Sequence, residues 1–432
     1  MSTSARQVAH TVSARAVSLV LTGLSGVVIA RALQPEGRGA YYVIVTIAGI
    51  ALSVGHLSIE QSHVWLWSRT ENRAALAANS VVLGLFVGTL AALAATATVA
   101  VLGPDVVPVA SYGHLAVALT VIPCGMTVLY LNNVLVLRSR VDVVNRAAML
   151  AGTLQCSALL LLGAMTRLSP GWVVGLWALS VAAPLAVLLP ASRPRLRQYD
   201  ASLAYRAIGR GLRYHLGLAS LFLLFRSDIL ILDGLTTTTA VGLYSLAVSL
   251  AELTRVGTDA IAQVALPRQM DNDHDGAIAV TARTTRFTAI FAVGSVGLMC
   301  AAAPIVIPVV YGSAFSGSVP SLFALAPGLL ALGMTRPIGA FLLRLDRPLL
   351  GSAMSVAALL INVVLNLALI PDYGIVGSAV ASSIAYTMLA GMQGAWFLRA
   401  TGTPLRQLLP GLDEMDYVRA KLTRMAASRQ SV

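Results

Sequence analysis

The sequence predicts an all-α, polytopic membrane protein with about twelve transmembrane helices. Of its 432 residues 57% are hydrophobic and only 11% are charged, whereas soluble domains carry roughly 25% charge. Apolar runs long enough to cross a bilayer recur along the whole chain. The net charge of +12 indicates basic cytoplasmic loops in a chain of this composition, so no nucleic-acid partner is expected.

A span needs about 20 apolar residues. On that basis the runs lie near residues 12–33, 41–64, 76–102, 113–136, 146–166, 171–190, 214–235, 240–265, 286–309, 319–343, 350–370 and 374–397. Arginines concentrate in the connections after every second span, while the alternate connections carry almost none. The positive-inside rule then predicts that both termini are cytoplasmic, which an even number of spans allows.

The longest internal connection divides the chain into two halves of six spans. We expect an N-terminal six-helix lobe over 1–190, a cytoplasmic amphipathic linker over 191–213, a C-terminal six-helix lobe over 214–398 and a basic cytoplasmic tail over 399–432. Apolar residues alternate with arginines in the linker, which is typical of a helix lying on a membrane surface. A solvated linker is the alternative.

The two halves look like a repeat. Gly39-Ala40-Tyr41 opens span two and Gly242-Leu243-Tyr244 opens span eight, at an offset of 203 residues from 242 − 39. A second glycine pair, at positions 175 and 377, gives 377 − 175 = 202. Parallel repeats about an axis along the membrane normal are a known transporter architecture, with the substrate site between the halves.

The stretch FRSDILILDGL, residues 225–235, places three charges inside span seven, and two of them, Arg226 and Asp228, lie only two positions apart. Intramembrane charges are costly, and they usually line a cavity or an ion pathway. On a continuous helix Arg226 and Asp228 would point about 200° apart and would not pair. The hairpin between spans seven and eight brings Arg226 level with about Leu250, close to Glu252. Each charge therefore has a partner available.

Two sets of candidate site residues follow. Arginine suits bidentate binding of phosphate, so the candidate substrate-binding residues are Arg15, Arg226, Arg255 and Arg336. The candidate ion-coupling or charge-network residues are Asp228, Asp233, Glu252 and Asp259. In spans seven and eight carboxylates outnumber arginines four to two, which would also fit a proton or sodium site. A network that only fixes helix packing is a third interpretation.

Motifs for catalysis or metal binding are missing. DNDHDG, residues 271–276, starts like a calcium loop, but the twelfth position is Ala282 in place of the bidentate glutamate. No phosphate-binding G-x-x-x-x-G-K-[ST] motif and no HExxH motif occur, and the histidines are scattered. The three cysteines lie in apolar runs and are predicted to be packing residues. We predict no enzyme activity, no cofactor and no metal.

Several segments resemble the bacterial oligosaccharide flippases, the polysaccharide transporters of the multidrug/oligosaccharidyl-lipid/polysaccharide flippase superfamily. FRSDILIL, AVGLYSLAVSLAE and LPRQM resemble the family's seventh and eighth spans. ARALQPEGRGAYY resembles its first periplasmic hairpin, VYGSAF its ninth-to-tenth hairpin, and NLALIPDYGIVGSAVASSIAY its eleventh-to-twelfth. In the motif of span seven, Arg226 and Asp228 match the family's charged pair.

The resemblance implies two six-helix bundles around a V-shaped central cavity in the bacterial inner membrane. It implies alternating access, a lipid-linked glycan as substrate, surrounding membrane lipid, and glycan polymerases or transferases as partners in exopolysaccharide biosynthesis. The carrier would be undecaprenyl phosphate or pyrophosphate. A proton- or sodium-coupled drug/cation antiporter of the same superfamily is the alternative function. A membrane-embedded glycan polymerase or ligase, and a scaffold acting through the tail, are further alternatives.

Overall fold

The computed structural model describes residues 3–411 except 71, 105, 106 and 346, with side chains from residue 17 onwards. Within this part the secondary structure is helical throughout. The N-terminal half contains α1 (Thr3–Gly55), α2 (Ile59–Trp67), α3 (Arg73–Leu102), α4 (Tyr112–Thr120), α5 (Ile122–Leu137), α6 (Val141–Met165), α7 (Pro170–Ala182) and α8 (Leu185–Ser192). The rest contains α9 (Ala201–Leu224), α10 (Ser227–Leu235), α11 (Thr238–Asp271), α12 (His274–Val306), α13 (Ser318–Leu332), α14 (Thr335–Arg344) and α15 (Pro348–Thr401).

These helices build the twelve spans that the sequence predicts. Eight continuous segments are long and apolar enough to cross a membrane. Two of them, Val17–Trp67 and Pro348–Thr401, cross twice, because they bend at Gln34 (φ 55°) and at Gly374 (φ 53°). The pair α9–α10, bent by 43°, adds another span. Helix α11 supplies the one span still missing from this count, span eight. Its charged residues lower its mean hydropathy, and it is not among the eight apolar segments.

Each half packs mainly against itself, so the all-α fold of two bundles agrees with the prediction. Small residues allow the close approach of neighbouring helices that is common in membranes. A Cβ on Gly84 or Gly88 of α3 would overlap Thr127 or Pro123 of α5. In the other half, Gly328 of α13 packs directly on Ser383 of α15.

The two predicted repeat hairpins pack against each other where α1 bends and α11 begins, which we call the hairpin end. A Cβ on Gly39 would overlap the carbonyl of Thr238, and a Cβ on Gly242 would overlap the carbonyl of Pro35. The repeat offset exchanges the two contacts, since 238 − 35 = 203 relates Pro35 to Thr238 and 242 − 39 = 203 relates Gly39 to Gly242. The contact is therefore symmetric with respect to the repeat.

The linker differs from a separate surface helix. Helix α9 runs from Ala201 to Leu224 without interruption, so the second half of the linker and the first half of span seven form one helix. Asp200 caps it by accepting a 3.0 Å hydrogen bond from the Leu203 amide. The helix is anchored because Leu203 is buried and Gly211 packs on the carbonyls of the α1–α2 connection. We call the end of the bundle where α9 begins the linker end.

The predicted basic tail is described only in part. Helix α15 ends at Thr401, and a short 3₁₀ turn follows at Leu405–Gln407. Residues 412–432 lie outside the described residues.

Candidate functional site

A break in span seven positions Arg226. Helix α9 ends at Leu224 and α10 begins at Ser227, so Arg226 precedes the first residue of a new helix, with φ −136°. The amides of Phe225 and Arg226 make tight i→i−3 hydrogen bonds of 3.1 and 3.0 Å that end the first helix. The expected continuous helix is therefore wrong at this point. The break turns the guanidinium towards the space between the two halves.

The Arg226 guanidinium connects the two lobes. Its Nη2 lies 2.7 Å from Oε1 of Glu252 in α11, and its Nη1 donates a 2.7 Å hydrogen bond to the hydroxyl of Tyr42 in α1. The side chains of Arg226 and Glu252 remain 22% and 38% exposed. This charge pair is therefore partly accessible in the middle of a span and is not part of a dry core.

Asp228 has a different environment, although it lies only two residues further on. It is 1% exposed and accepts hydrogen bonds from the Tyr244 hydroxyl at 2.7 Å and the Ser382 hydroxyl at 3.1 Å. The Ile229 amide donates to its other oxygen at 2.9 Å. These three donors stabilise the carboxylate inside the C-terminal lobe.

The network around Asp228 continues along α15. Ser382 accepts a 3.2 Å hydrogen bond from Asn362, and Ser378 donates a 2.7 Å hydrogen bond to Asn366. These asparagines of span eleven therefore hydrogen-bond the serines of span twelve. Oδ1 of Asn362 is buried without a hydrogen-bond partner among the described residues.

Two other arginines of the predicted set, Arg255 of α11 and Arg336 of α14, have partners beside this face of α11. Arg336 binds Asp259 through two hydrogen bonds of 2.7 and 3.2 Å, and both side chains are partly exposed. The Arg255 guanidinium stacks 4.0 Å from the ring centroid of Phe225. Positions 252, 255 and 259 form a stripe at helical spacing. We call the three arginines 226, 255 and 336 with their partners on this face the arginine stripe.

Besides Asp228, two predicted residues are not part of the stripe. Asp233 is 4% exposed near the end of α10, and its Oδ2 has no hydrogen-bond partner in the described part of the chain. Arg15 belongs to α1, but its side chain lies outside the described residues. Sequence reasoning missed the aromatic partners Tyr42 and Phe225, which no local motif indicates.

Arg38, which the sequence analysis did not include among the candidate site residues, lies buried between the lobes. It is 4% exposed and donates to the hydroxyls of Ser245 at 3.0 Å and Ser249 at 3.1 Å. Arg31, on the same helix, donates to the carbonyls of Val309 and Val310. Arg38 directly precedes Gly39 of the repeat, and this position in the sequence is the signal that could have identified it as a residue of the interface between the lobes. Both arginines close the hairpin end.

The linker end also holds the lobes together. Nε2 of His215 lies 2.9 Å from the Val54 carbonyl, and Nδ1 lies 3.2 Å from the Ser58 hydroxyl. Nε2 therefore contacts the last turn of α1, and Nδ1 contacts the α1–α2 connection. This geometry suits a packing contact between spans two and seven.

A twelve-span bundle with a repeat-related interface and a charged stripe between its halves defines a class, the multi-pass membrane proteins with transporter architecture. The chain matches the polysaccharide biosynthesis protein family over residues 28–320, about two thirds of its length, and it belongs to that family. No curated protein sequence matches the chain.

Several solved structures of membrane transporters have a similar fold. The lipid II flippase MurJ in an inward closed conformation has a TM-score of 0.72 at 14% identity, covering 92% of this chain and 88% of MurJ. An inward-facing multidrug resistance MATE transporter of the MOP superfamily gives 0.69 at 14%, covering 91% and 100%. A MOP superfamily transporter from Pyrococcus furiosus, described as having a binding pocket of reversed polarity, gives 0.64 at 14%, covering 90% and 92%. The recognised superfamily and the twelve-helix fold agree with these matches.

Proposed function

We propose that this protein is a flippase that moves a lipid-linked oligosaccharide from the inner to the outer leaflet of the bacterial cytoplasmic membrane. The carrier is undecaprenyl phosphate or pyrophosphate, and the transported glycan serves cell-surface polysaccharide biosynthesis. The observation that carries the proposal is the arginine stripe, above all Arg226, which is partly exposed between the two lobes. Family membership supports the pathway, and the MurJ fold supports a lipid-linked substrate.

The chemistry of the stripe suits a phosphate. Guanidinium groups bind phosphate through two parallel hydrogen bonds. Asp259 occupies that geometry on Arg336 through two hydrogen bonds, and Glu252 pairs with Arg226 through one carboxylate oxygen. An incoming phosphate replaces these carboxylates, which then remain charged beside the cavity and favour release of the product.

The lipid part of the substrate needs an apolar path, since only the polar head group requires the cavity. A groove of about 1020 Å3 runs along α3 from Val82 to Leu102 and is bounded by span two, the linker helix and Leu230. Its wall on α3 is ~30 Å long at 1.5 Å per residue, the thickness of the hydrocarbon core. Leu230 lies one helical turn beyond Arg226, so a polyprenyl chain leaving the cavity reaches this groove.

Alternating access follows from the interface between the lobes. The linker end faces the cytoplasm, as does each terminus, because the arginine-rich connections lie on that side. The hairpin end then faces the periplasm. Asp228, Asp233, Glu252 and Asp259 are the ion-coupling or charge-network residues of the proposal. In the flippase they form a charge network beside the arginines, and in the alternative antiporter they carry the coupling ion. Glycan polymerases or transferases act as partners on either side.

The test is transport in proteoliposomes. An undecaprenyl-pyrophosphate glycan with a labelled sugar is supplied, and its exposure to an impermeant enzyme on the far side is followed over time. We expect wild-type protein to expose the glycan and Arg226→Ala to slow exposure at least about tenfold, because a charged hydrogen-bond donor is lost. Arg140→Ala is the matched control, since Arg140 pairs with Asp142 on the surface.

Three outcomes separate the interpretations. Exposure that Arg226→Ala leaves unchanged would keep the flippase and remove Arg226 from the site. No exposure with several glycans and an imposed membrane potential would refute the flippase and favour the drug/cation antiporter. In that antiporter, neutralising the carboxylates at 252 and 259 would abolish efflux, whereas the flippase depends on the arginines.

A further inference from the structure

A histidine and a glutamate meet in the turn between α1 and α2. Nδ1 of His56 lies 3.1 Å from Oε2 of Glu60, and the same nitrogen accepts a 3.0 Å hydrogen bond from the Ser58 amide. The side chains of His56 and Glu60 are only 11% and 9% exposed. A second imidazole, that of His215 in α9, lies edge-on to His56 with 5.4 Å between the ring centroids. We call His56, Glu60 and His215 the histidine cluster.

Nδ1 of His56 has one position in the ring plane, which holds either a lone pair or a hydrogen. The Ser58 amide needs the lone pair, whereas a carboxylate of Glu60 only accepts and therefore needs a hydrogen on the nitrogen. A neutral ring can leave Nδ1 without hydrogen and accept from the amide. A doubly protonated ring always carries a hydrogen on Nδ1, which it donates to Glu60, and the amide then loses its acceptor. One proton therefore selects between two hydrogen-bond arrangements.

The hydrogen bond from the Ser58 amide holds a strained turn. Leu57 and Ser58 have φ angles of 51° and 50°, in the left-handed region that is unfavourable for residues with a side chain. A side chain that accepts from the amide two residues further on makes the contact of an Asx turn, which stabilises such backbone. The imidazole of His56 takes the place of the usual Asn or Asp oxygen. When Nδ1 carries a hydrogen, this support is lost and the turn relaxes.

The same turn is the surface on which the linker helix packs. A Cβ on Gly211 of α9 would overlap the carbonyls of Leu57 and Ser58. Further along α9, Gly217 packs equally closely on Ser352 of α15. Helix α9 therefore connects the turn to the C-terminal lobe, and a change of backbone in the turn acts directly on the contact between the lobes.

His215 does not produce the same switch, although it belongs to the cluster. Its Nε2 donates to the Val54 carbonyl, and its Nδ1 faces the Ser58 hydroxyl. A hydroxyl both donates and accepts, so protonation of His215 reverses the direction of this bond but breaks neither contact. The switch therefore depends on His56.

The remaining titratable and charged groups around the turn come from three helices. Tyr130 of α5 donates a 2.7 Å hydrogen bond to the His56 carbonyl, and the ring of His63 in α2 lies edge-on to Tyr130. Arg210 of α9 lies beside the Trp65 ring. An arginine keeps its charge at every pH, so it does not select between the two arrangements.

We propose that His56 and Glu60 form a proton-binding site that controls the linker end. Binding of a proton to His56 places a hydrogen on Nδ1 that is donated to Glu60, frees the Ser58 amide and releases α9 from the turn. Loss of the proton restores the turn and the closed linker end. The site is separate from the arginine stripe and does not depend on which substrate is transported.

The test measures the width of the linker end in the purified full-length protein. Ser68 at the end of α2 and Leu349 at the start of α15 are exposed, so cysteines there carry spin labels in a background without native cysteines. Distance distributions are recorded at about pH 8 and at about pH 5, where imidazole is neutral and charged. We expect the ratio of long to short distances to rise about threefold to tenfold at the lower pH, because one backbone hydrogen bond is lost.

His56→Asn separates the turn from the proton. Its oxygen can accept from the Ser58 amide at every pH, so we expect the short distance at both pH values. Glu60→Gln removes the carboxylate that stabilises the charged ring, so opening should require a lower pH than in wild type. His114→Asn is the matched control, since this histidine lies against Gly171 at the hairpin end, and it should open as wild type does.

Three results would overturn the proposal. The first is a wild-type distance distribution that does not change with pH. The second is a pH response that persists in His56→Asn, because another group, such as His215, would then be the sensor. The third is a response that is lost in His114→Asn as well, which would indicate a general loss of structure at low pH. If His56→Asn does not fold, an unchanged or higher midpoint in Glu60→Gln refutes the proton site.

Discussion

Arg226 and Asp228 are two residues apart and have separate environments because the helix breaks between Leu224 and Ser227. The break leaves Arg226 at a helix start, where its side chain reaches Glu252 and Tyr42. Asp228, in the first turn of α10, points into the C-terminal lobe and is surrounded by donors. Arg226 is therefore available to a ligand, while Asp228 organises the lobe that carries it.

Removing the charge of Asp228 should weaken the C-terminal lobe. Asp228→Asn replaces one acceptor oxygen with an amide group, so a buried donor from Tyr244, Ser382 or Ile229 loses its partner. We expect a loss of about 1–3 kcal/mol in the free energy of unfolding. Thermal unfolding in detergent, compared with wild type, measures it.

The control for this change is Asp259→Asn. Asp259 pairs with Arg336, but the pair is partly exposed, so we expect a loss of no more than about 1 kcal/mol. If both variants unfold at the same temperature, the buried network around Asp228 has no special role in stability.

At the scale of single residues, the sequence identifies charges but not their partners. Arg226, Glu252 and Asp259 are conspicuous because they interrupt apolar runs. The contact of Arg226 with Tyr42 crosses 184 positions, and no periodicity within one helix can indicate a contact between lobes. The stacking of Arg255 on Phe225 depends on the helix break, which contains no proline and no glycine.

At the scale of elements, the spans follow from hydrophobicity, and only some of their breaks follow from composition. Helices α4 and α7 end shortly before Pro123 and Pro184, because proline cannot complete the hydrogen bonds of a continuing helix. Pro304 and Pro327, in contrast, lie inside helices. The pattern of arginines does not predict that the linker and span seven form one helix. That helix is held by the packing of Leu203 and Gly211, which depends on the tertiary structure and not on charge.

The glycine contact at the hairpin end should respond to one methyl group added to each of the two glycines. In Gly39→Ala with Gly242→Ala, the added Cβ atoms overlap the carbonyls of Thr238 and Pro35, so α1 and α11 must separate. We expect a wider hairpin end. Spin labels on cysteines introduced at the exposed positions Glu36 and Thr239, in a background without native cysteines, report the distance.

Gly175→Ala provides the comparison, since a Cβ at Gly175 meets nothing within 4 Å. This change should leave the label distance as in wild type and strengthen its helix slightly. A distance distribution that is the same in the double variant and in wild type would show that the two helices tolerate the methyl groups and that the glycines do not determine closure.

At the scale of the whole molecule, the lobes are joined at both ends. Arg31, Arg38 and the two glycines close the hairpin end. His215 and Gly211 connect the linker end to the α1–α2 connection. Passage of a ligand from one side to the other requires these two sets of contacts to open in turn, because opening both would create a continuous pore.

A covalent link across the hairpin end should therefore stop transport without unfolding the protein. Arg31 of the N-terminal lobe reaches the Val309 carbonyl of the other lobe, 2.6 Å from its Nη2. In a background lacking the native cysteines, Arg31→Cys with Val309→Cys is treated with a short bifunctional thiol cross-linker. We expect glycan exposure in proteoliposomes to cease on cross-linking and to return when a cleavable linker is reduced.

The matched control is Asn272→Cys with Arg344→Cys. Arg344 also donates to a backbone carbonyl, that of Asn272 at 2.8 Å, but both residues belong to the C-terminal lobe. Its cross-link should leave transport unchanged, since it spans no interface that has to open. Continued transport with the 31–309 pair fully cross-linked would mean that the hairpin end stays closed throughout the cycle, and the ligand would then need a different exit.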